Sequence, residues 1–168
     1  MTTTPAPKIV GPQDGKAGNL GSIGVRFMID TEETYNGGFS LVEHPLPPRR
    51  LAAPLHRHSR EDEYSFVIEG RMGALLGDDV VYAEVGDLVY KPRDQWHTFW
   101  NAGDEPCRIL EIIAPGGFED FFDELVDAGL KGAPDPEWLA AQAARYGLDM
   151  DLESVPALCE RFGVTFGG

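Results

Sequence analysis

Four histidines occur in the 168-residue chain, and three of them stand in two compact polar groups. The first group reads Pro54-Leu55-His56-Arg57-His58-Ser59-Arg60-Glu61-Asp62-Glu63. In an extended strand residues i and i+2 share a face, so His56 and His58 point one way and Arg57 the other. Two imidazoles placed like this can ligate a single ion. Ser59 to Asp62 is a polar stretch able to turn the chain. Glu63 then opens the next strand and can bring a carboxylate oxygen to the same ion. The second group, from Gly86 through Pro92, Asp94 and His97 to Asn101, puts a third imidazole on a later strand. Three imidazoles and one carboxylate form a mixed nitrogen and oxygen set. On an octahedral ion it leaves two positions for water, oxygen or a substrate donor. It suits Fe(II), Mn(II), Ni(II), Co(II) or Zn(II) without choosing among them. A carboxylate at such a site can also act as a base near neutral pH if burial raises its pKa. His44, in Glu43-His44-Pro45 ahead of a proline-containing loop, belongs to neither group and reads as a surface or loop histidine.

These groups need strands to hold them, and the pattern supplies strands. Residues 1–22 are rich in Thr, Pro and Gly and read as a flexible N-terminal arm or an edge-strand lead-in. Gly18, Gly21 and Gly24 superficially suggest a phosphate loop, but the spacing is wrong and no Lys-Ser/Thr follows. From 23 to 117 the chain alternates in short runs at roughly ten-residue spacing, with a hairpin signal at Gly77-Asp78-Asp79. Eight or nine short strands of this kind indicate an antiparallel barrel or sandwich. By parity Phe99 shares the face of His97 and so lines the interior. At 118 the period changes. Phe118, Phe121, Phe122 and Leu125 fall on one helical face, with acids opposite. Asp135-Pro136 opens a second helix that closes at Gly147, and a third runs from about Ser154 to Gly163. Residues 118–168 are therefore a helical C-terminal extension, read as a cover on one face or edge of the barrel.

Composition narrows the partners. Fourteen Lys and Arg against 28 Asp and Glu leave a net charge of −14. So acidic a chain repels phosphate backbones and anionic bilayers, which argues against nucleic acid and membrane surfaces. The 118–168 helices carry 11 acids and three bases, which rules out a DNA-reading helix pair. No run of 18 apolar residues exists, and the N-terminus lacks the apolar core of a secretory signal. Two cysteines, Cys107 and Cys159, suit a reducing compartment, and a cytoplasmic location is expected. A small-molecule partner is compatible with this charge.

The two groups resemble the paired motifs of the cupin superfamily. The first motif, G-x5-H-x-H-x(3,4)-E-x6-G, is met at His56, His58, Glu63 and Gly70, with Arg50 in place of its opening glycine. The second, G-x5-P-x-G-x2-H-x3-N, is met at Gly86, Pro92, His97 and Asn101. Its inner glycine is Asp94 here, an αL-tolerant substitute. The spacing to both His58 and Gly70 favours Glu63 over Glu61 as the carboxylate. The resemblance implies a mainly β fold, the cupin antiparallel jelly-roll barrel over 23–117. It also implies metal ligation by His56, His58, Glu63 and His97, and pairing into a homodimer. The segments 62–72 and 114–122 are similar to bacterial quercetin-dioxygenase-like cupins. That similarity implies a metal-dependent dioxygenase acting with O2 on an aromatic or enolisable substrate, with Glu63 accepting the substrate's proton. Two alternatives stand beside it. One is a non-redox isomerase or cyclase of a secondary metabolite, with Glu63 or Tyr64 moving the proton. The other is a metal-assisted binding protein without turnover.

Overall fold

The computed structural model describes residues 6–129 and 134–168; the first five residues of the expected arm and 130–133 lie outside them. Among the described residues eleven strands form two antiparallel sheets that face each other as a jelly-roll barrel. The first sheet runs in the order β1 (Ala17–Asn19), β2 (Gly24–Ile29), β3 (Ser40–Leu46), β10 (Cys107–Ala114), β5 (Asp62–Glu69) and β8 (Leu88–Lys91). The second runs β11 (Leu148–Asp151), β4 (Leu55–His58), β9 (His97–Asn101), β6 (Met72–Leu76) and β7 (Asp79–Ala83). The expected hairpin is present: β6 pairs with β7, and Gly77 at the turn has φ +60°. The arm is an edge-strand lead-in from Ala17 onward, because β1 pairs with β2.

Alternation decides what faces inward. Along β5, Glu63, Ser65 and Val67 are buried, while Tyr64 and Phe66 sit on the outer side and are only partly covered. Along β10 the buried set is Cys107, Ile109, Glu111 and Ile113. One apolar cluster, including Leu46, Val67, Met72 and Ile109, fills one part of the barrel. A second joins Val25, Phe27, Val42 and Ile113 to the helices α1 (Glu119–Asp127) and α2 (Pro136–Arg145). A third packs Trp100 and Leu75, which point out of the second sheet, against Leu158 of α3 (Val155–Phe162). Asp135 caps α2 through its side chain to the Trp138 amide, and Gly163 closes α3 in the αL conformation, both as the sequence suggests. The segment between those two helices differs from expectation. The extension is not helical throughout: Leu148 starts β11, which extends the second sheet beside β4.

Two motif residues have structural work. The Asn101 side chain is fully buried and donates to the carbonyls of Leu46, Pro47 and Glu105, pinning the loops at its end of the barrel. Gly70 has φ +75°, and a Cβ there would lie 2.5 Å from the Pro106 carbonyl oxygen. Gly70→Ala combines αL strain with a backbone clash and is expected to cost about 2 kcal/mol. A urea titration reads this as a lower midpoint at unchanged slope.

Candidate metal centre

The barrel brings the four ligand candidates together from both sheets. β4 supplies His56 and His58, β9 supplies His97 across the Cα pairing His56↔His97, and β5 supplies Glu63 from the opposite sheet. One ligand atom from each of the four lies within 4.8 Å of the others, and all four side chains are buried. His97 Nε2 stands 3.2 Å from Glu63 Oε2, and His58 Nε2 stands 3.4 Å from Glu63 Oε1. Asp94, two residues after Pro92, takes φ +64° as the missing glycine requires, which sets the turn into His97.

The hydrogen bonds on the far side of the rings fix what faces inward. His56 Nδ1 donates to the Pro54 carbonyl at 2.8 Å and His97 Nδ1 to the Gln95 carbonyl at 3.0 Å. A carbonyl can only accept, so the proton is on Nδ1 and each Nε2 presents a lone pair. Burial, reinforced by the neighbouring rings, pushes His56 well below the ordinary histidine value. Burial also lowers His97. Neutral imidazole nitrogens therefore face a carboxylate with no proton between acceptor and acceptor. Both ring nitrogens of His58 are buried without a hydrogen-bond partner. A divalent cation satisfies this donor set, and the residues fit it. Glu61, the runner-up carboxylate, is buried behind the cluster with Oε2 3.7 Å from His58 Nδ1. There it can orient the ring rather than ligate beside Glu63.

Behind Glu63 lies a charge network that sequence reasoning missed. Lys91 is 1% exposed, and its Nζ sits 3.1 Å from Glu63 Oε2 and 2.8 Å from Glu111 Oε1. Ser65 Oγ donates to Glu111 Oε2 at 2.7 Å. Burial opposes the charge on Glu63, but the neighbouring His58 and the Lys91 ammonium outweigh it and hold its carboxyl well below the usual range. The condition for a base near neutral pH, a carboxyl raised by burial, is not met at Glu63, and Lys91 is a principal reason. Burial instead pushes Glu111 up to about 7, despite Lys91.

The cluster opens on a cavity of about 70 Å³, counted as the space open to the centre of a water molecule. Phe99, Phe118, Phe121, Phe122 and Leu139 make its walls largely apolar. Phe118 packs edge-on against His58 at 4.4 Å between ring centres. Tyr64, a candidate proton carrier, is on the wrong face: it stacks on exposed Tyr90 outside the barrel, opposite in parity to Glu63.

His44 overturns its assignment as a surface or loop residue. β3 continues through Pro45 to Leu46, and His44 shares the inward parity of Val42 and Leu46. It is 2% exposed and lines the same cavity. Burial lowers it to about 4, against 6.5 for the open chain. Between those values the unfolded chain binds a proton that the folded chain refuses. Stability from this group is fully present above pH 6.5 and is lost as the pH falls toward 4, by about 3 kcal/mol. Denaturant titrations across this window should show wild type losing that much more stability than His44→Gln.

Residues 43–113 match the family described as the cupin domain. A curated relative, the uncharacterized protein MJ1618 of Methanocaldococcus jannaschii, is 28% identical over 76 residues, which is 45% of this chain. The match spans 61% of that relative's length. Among solved structures, the polyketide cyclase RemF from Streptomyces resistomycificus is 29% identical with a TM-score of 0.56, covering 66% of this chain and 80% of RemF. KdgF from Halomonas sp. shares the fold at 14% identity and a TM-score of 0.58, covering 68% of this chain and 99% of KdgF. The cupin-domain match thus covers residues 43–113, and the solved neighbours share the jelly-roll fold around it.

Proposed function

We propose that this chain is a metal-dependent enzyme that rearranges an apolar, enolisable, oxygen-bearing substrate by proton transfer, as a cyclase or isomerase does. The observation that carries the reading is the junction of the buried His56-His58-Glu63-His97 cluster with a cavity walled by aromatic rings. The 29% identity to a polyketide cyclase supports it. A divalent metal held by those four residues would act as a Lewis acid on a substrate carbonyl. The chain's own residues do the rest. Phe118, Phe121 and Phe122 exclude water and present flat apolar surface to a planar substrate. Lys91 holds the Glu63 carboxylate in place and charged. Glu111 lines the cavity and can take up or release a proton near neutral pH.

Dioxygenation is the second reading. It draws support from the same ligand set, which leaves two positions open on an octahedral ion, and from the quercetin-dioxygenase-like segments 62–72 and 114–122.

Elemental analysis of the purified protein tests the common premise. Wild type should carry about one equivalent of a divalent transition metal. His56→Ala and His97→Ala should each lose it while keeping the β-sheet circular dichroism, since three apolar clusters hold the fold without the ion. Full metal content in both variants removes the assigned site. Turnover of polyphenolic and β-diketone substrates in the absence of oxygen then supports rearrangement, and turnover coupled strictly to O2 uptake moves the assignment to the dioxygenase.

A further inference from the structure

Among the described residues, His44 is the one polar group on the cavity wall that neither the ligand cluster nor the Lys91 network uses. It stands on β3, and its Cα partner on β10 is Ile109, whereas Glu63 pairs with Ile113. Four residues of β10 separate the two positions, about 13 Å of strand. His44 and the ligand cluster therefore line different parts of one cavity. The ring is held edge-on by Phe122 at 5.2 Å and flanked by Phe99 at 6.4 Å between centres. Its Nδ1 lies 2.9 Å from the Gly24 carbonyl oxygen, which can only accept. The proton is therefore on Nδ1, and Nε2 carries a lone pair. No side chain or backbone group among the described residues donates to that Nε2. An acceptor lone pair that faces a largely apolar chamber favours an entering molecule that brings a proton to donate.

We propose that His44 is a substrate-positioning residue whose Nε2 accepts a hydrogen bond from a phenolic or enolic hydroxyl at the far end of an elongated, flat, apolar ligand. The ligand's near oxygen lies at the His56-His58-Glu63-His97 cluster, so the inference rests on the proposed metal-dependent reading for that end alone. A ligand of this class carries two oxygens at opposite ends of a fused or extended ring system. A hydroxyl at the His44 end is a requirement, because an ether there has no proton to donate and leaves Nε2 unpaired.

2-Acetyl-6-naphthol and its methyl ether, whose acetyl end has no hydroxyl to turn toward His44, are the probes, with affinities measured by calorimetry on the protein as purified. Wild type should bind the naphthol about 10-fold more tightly than the ether. His44→Phe should bind the two equally, and His44→Gln should recover part of the preference because its amide oxygen accepts. In wild type the His44 Nε2 resonance should move on adding the naphthol and stay in place on adding the ether, a readout independent of any variant's folding. Equal wild-type affinities, an unchanged preference in His44→Phe, or no saturable naphthol binding would each overturn the proposal. Metal content measured on the same samples separates the two readings. A preference that depends on His44 in metal-free wild type upholds the positioning role and sinks the metal-dependent reading. Normal metal content with no preference does the reverse.

Discussion

Lys91→Met is expected to destabilise the metal-free protein by about 3–5 kcal/mol, a loss typical of breaking a buried ion pair from one side. The ammonium is 1% exposed and stands between Glu63 and Glu111, themselves 4% and 1% exposed. Methionine matches the length of the lysine stem, so the loss reports the charge, including the ammonium's place 4.7 Å from the Phe99 ring centre, rather than a cavity. Without Lys91, burial is opposed less at both carboxyls, and both move upward in the folded state. A raised carboxyl binds its proton more readily in the folded than in the unfolded chain, so stability falls as the pH rises. The variant should therefore be worst at alkaline pH and partly recover near pH 5. Adding Glu111→Gln removes one of the stranded charges and should restore part of the loss at neutral pH. Chemical denaturation of the single and double variants at three pH values checks this. A pH-independent deficit, or a double variant weaker than the sum of both changes, would show that Lys91 serves packing instead.

What was legible in the sequence followed from local rules. His56 and His58 share a face because strand side chains repeat every two residues, and the Glu63 and His97 spacings are set by short turns within the same unit. The αL demand at Asp94 and the helix stops at Gly147 and Gly163 were readable for the same reason: each is decided within a few residues. Lys91 was not readable. In Leu88-Val89-Tyr90-Lys91 the apolar Leu88 and Tyr90 face solvent, at 55% and 49% exposure, while the lysine points inward. Its partners come from β5 and β10, so nothing near it in the chain announces the inversion. Glu111 left a better trace, as a lone charge in parity with Ile109 and Ile113 on an otherwise apolar face. His44 was hidden by Pro45, which looks like a strand terminator. In the fold Pro45 faces outward opposite Arg108, and the strand runs one residue further.

The C-terminal extension was legible as helices but not as part of the sheet. Leu148-Asp149-Met150-Asp151 alternates over only four residues, too short to outweigh the helical signals on either side. Once paired, it covers the free edge of β4, opposing Leu148 to His58 and Met150 to His56. An uncovered β4 would be an edge strand bearing two of the four ligand candidates, with its backbone open to solvent. The segment that follows carries the cover further, through the bridge between Arg50 and Thr165 and the bond from the Leu51 amide to the Thr165 carbonyl. The extension thus stabilises the ligand strand by backbone pairing on one side and by apolar packing on the other.

Trp100→Ala should therefore cost about 3–5 kcal/mol, the range for removing a buried Trp or Phe side chain. Trp100 leaves β9 on the face opposite His97, is 1% exposed, and stacks on Phe162 of α3 at 3.9 Å between ring centres and 18° between planes. Gly73, opposite it on β6, leaves the space the indole fills, since a Cβ there would lie 2.3 Å from the ring. Losing the indole removes the main anchor of α3 and leaves a void against Leu51 and Leu75. Because α3 follows β11 directly, the loosening should reach β4. Hydrogen exchange should show lost protection first in 155–166 and next at the β11–β4 pairing, with β5 and β10 still protected. Phe162→Leu should reproduce a smaller version of the same pattern, because it thins the stack without emptying the space. Uniform loss of protection across both sheets would mean that α3 and the barrel unfold as one unit, and the extension would then be a constituent of the core rather than a cover over the ligand strand.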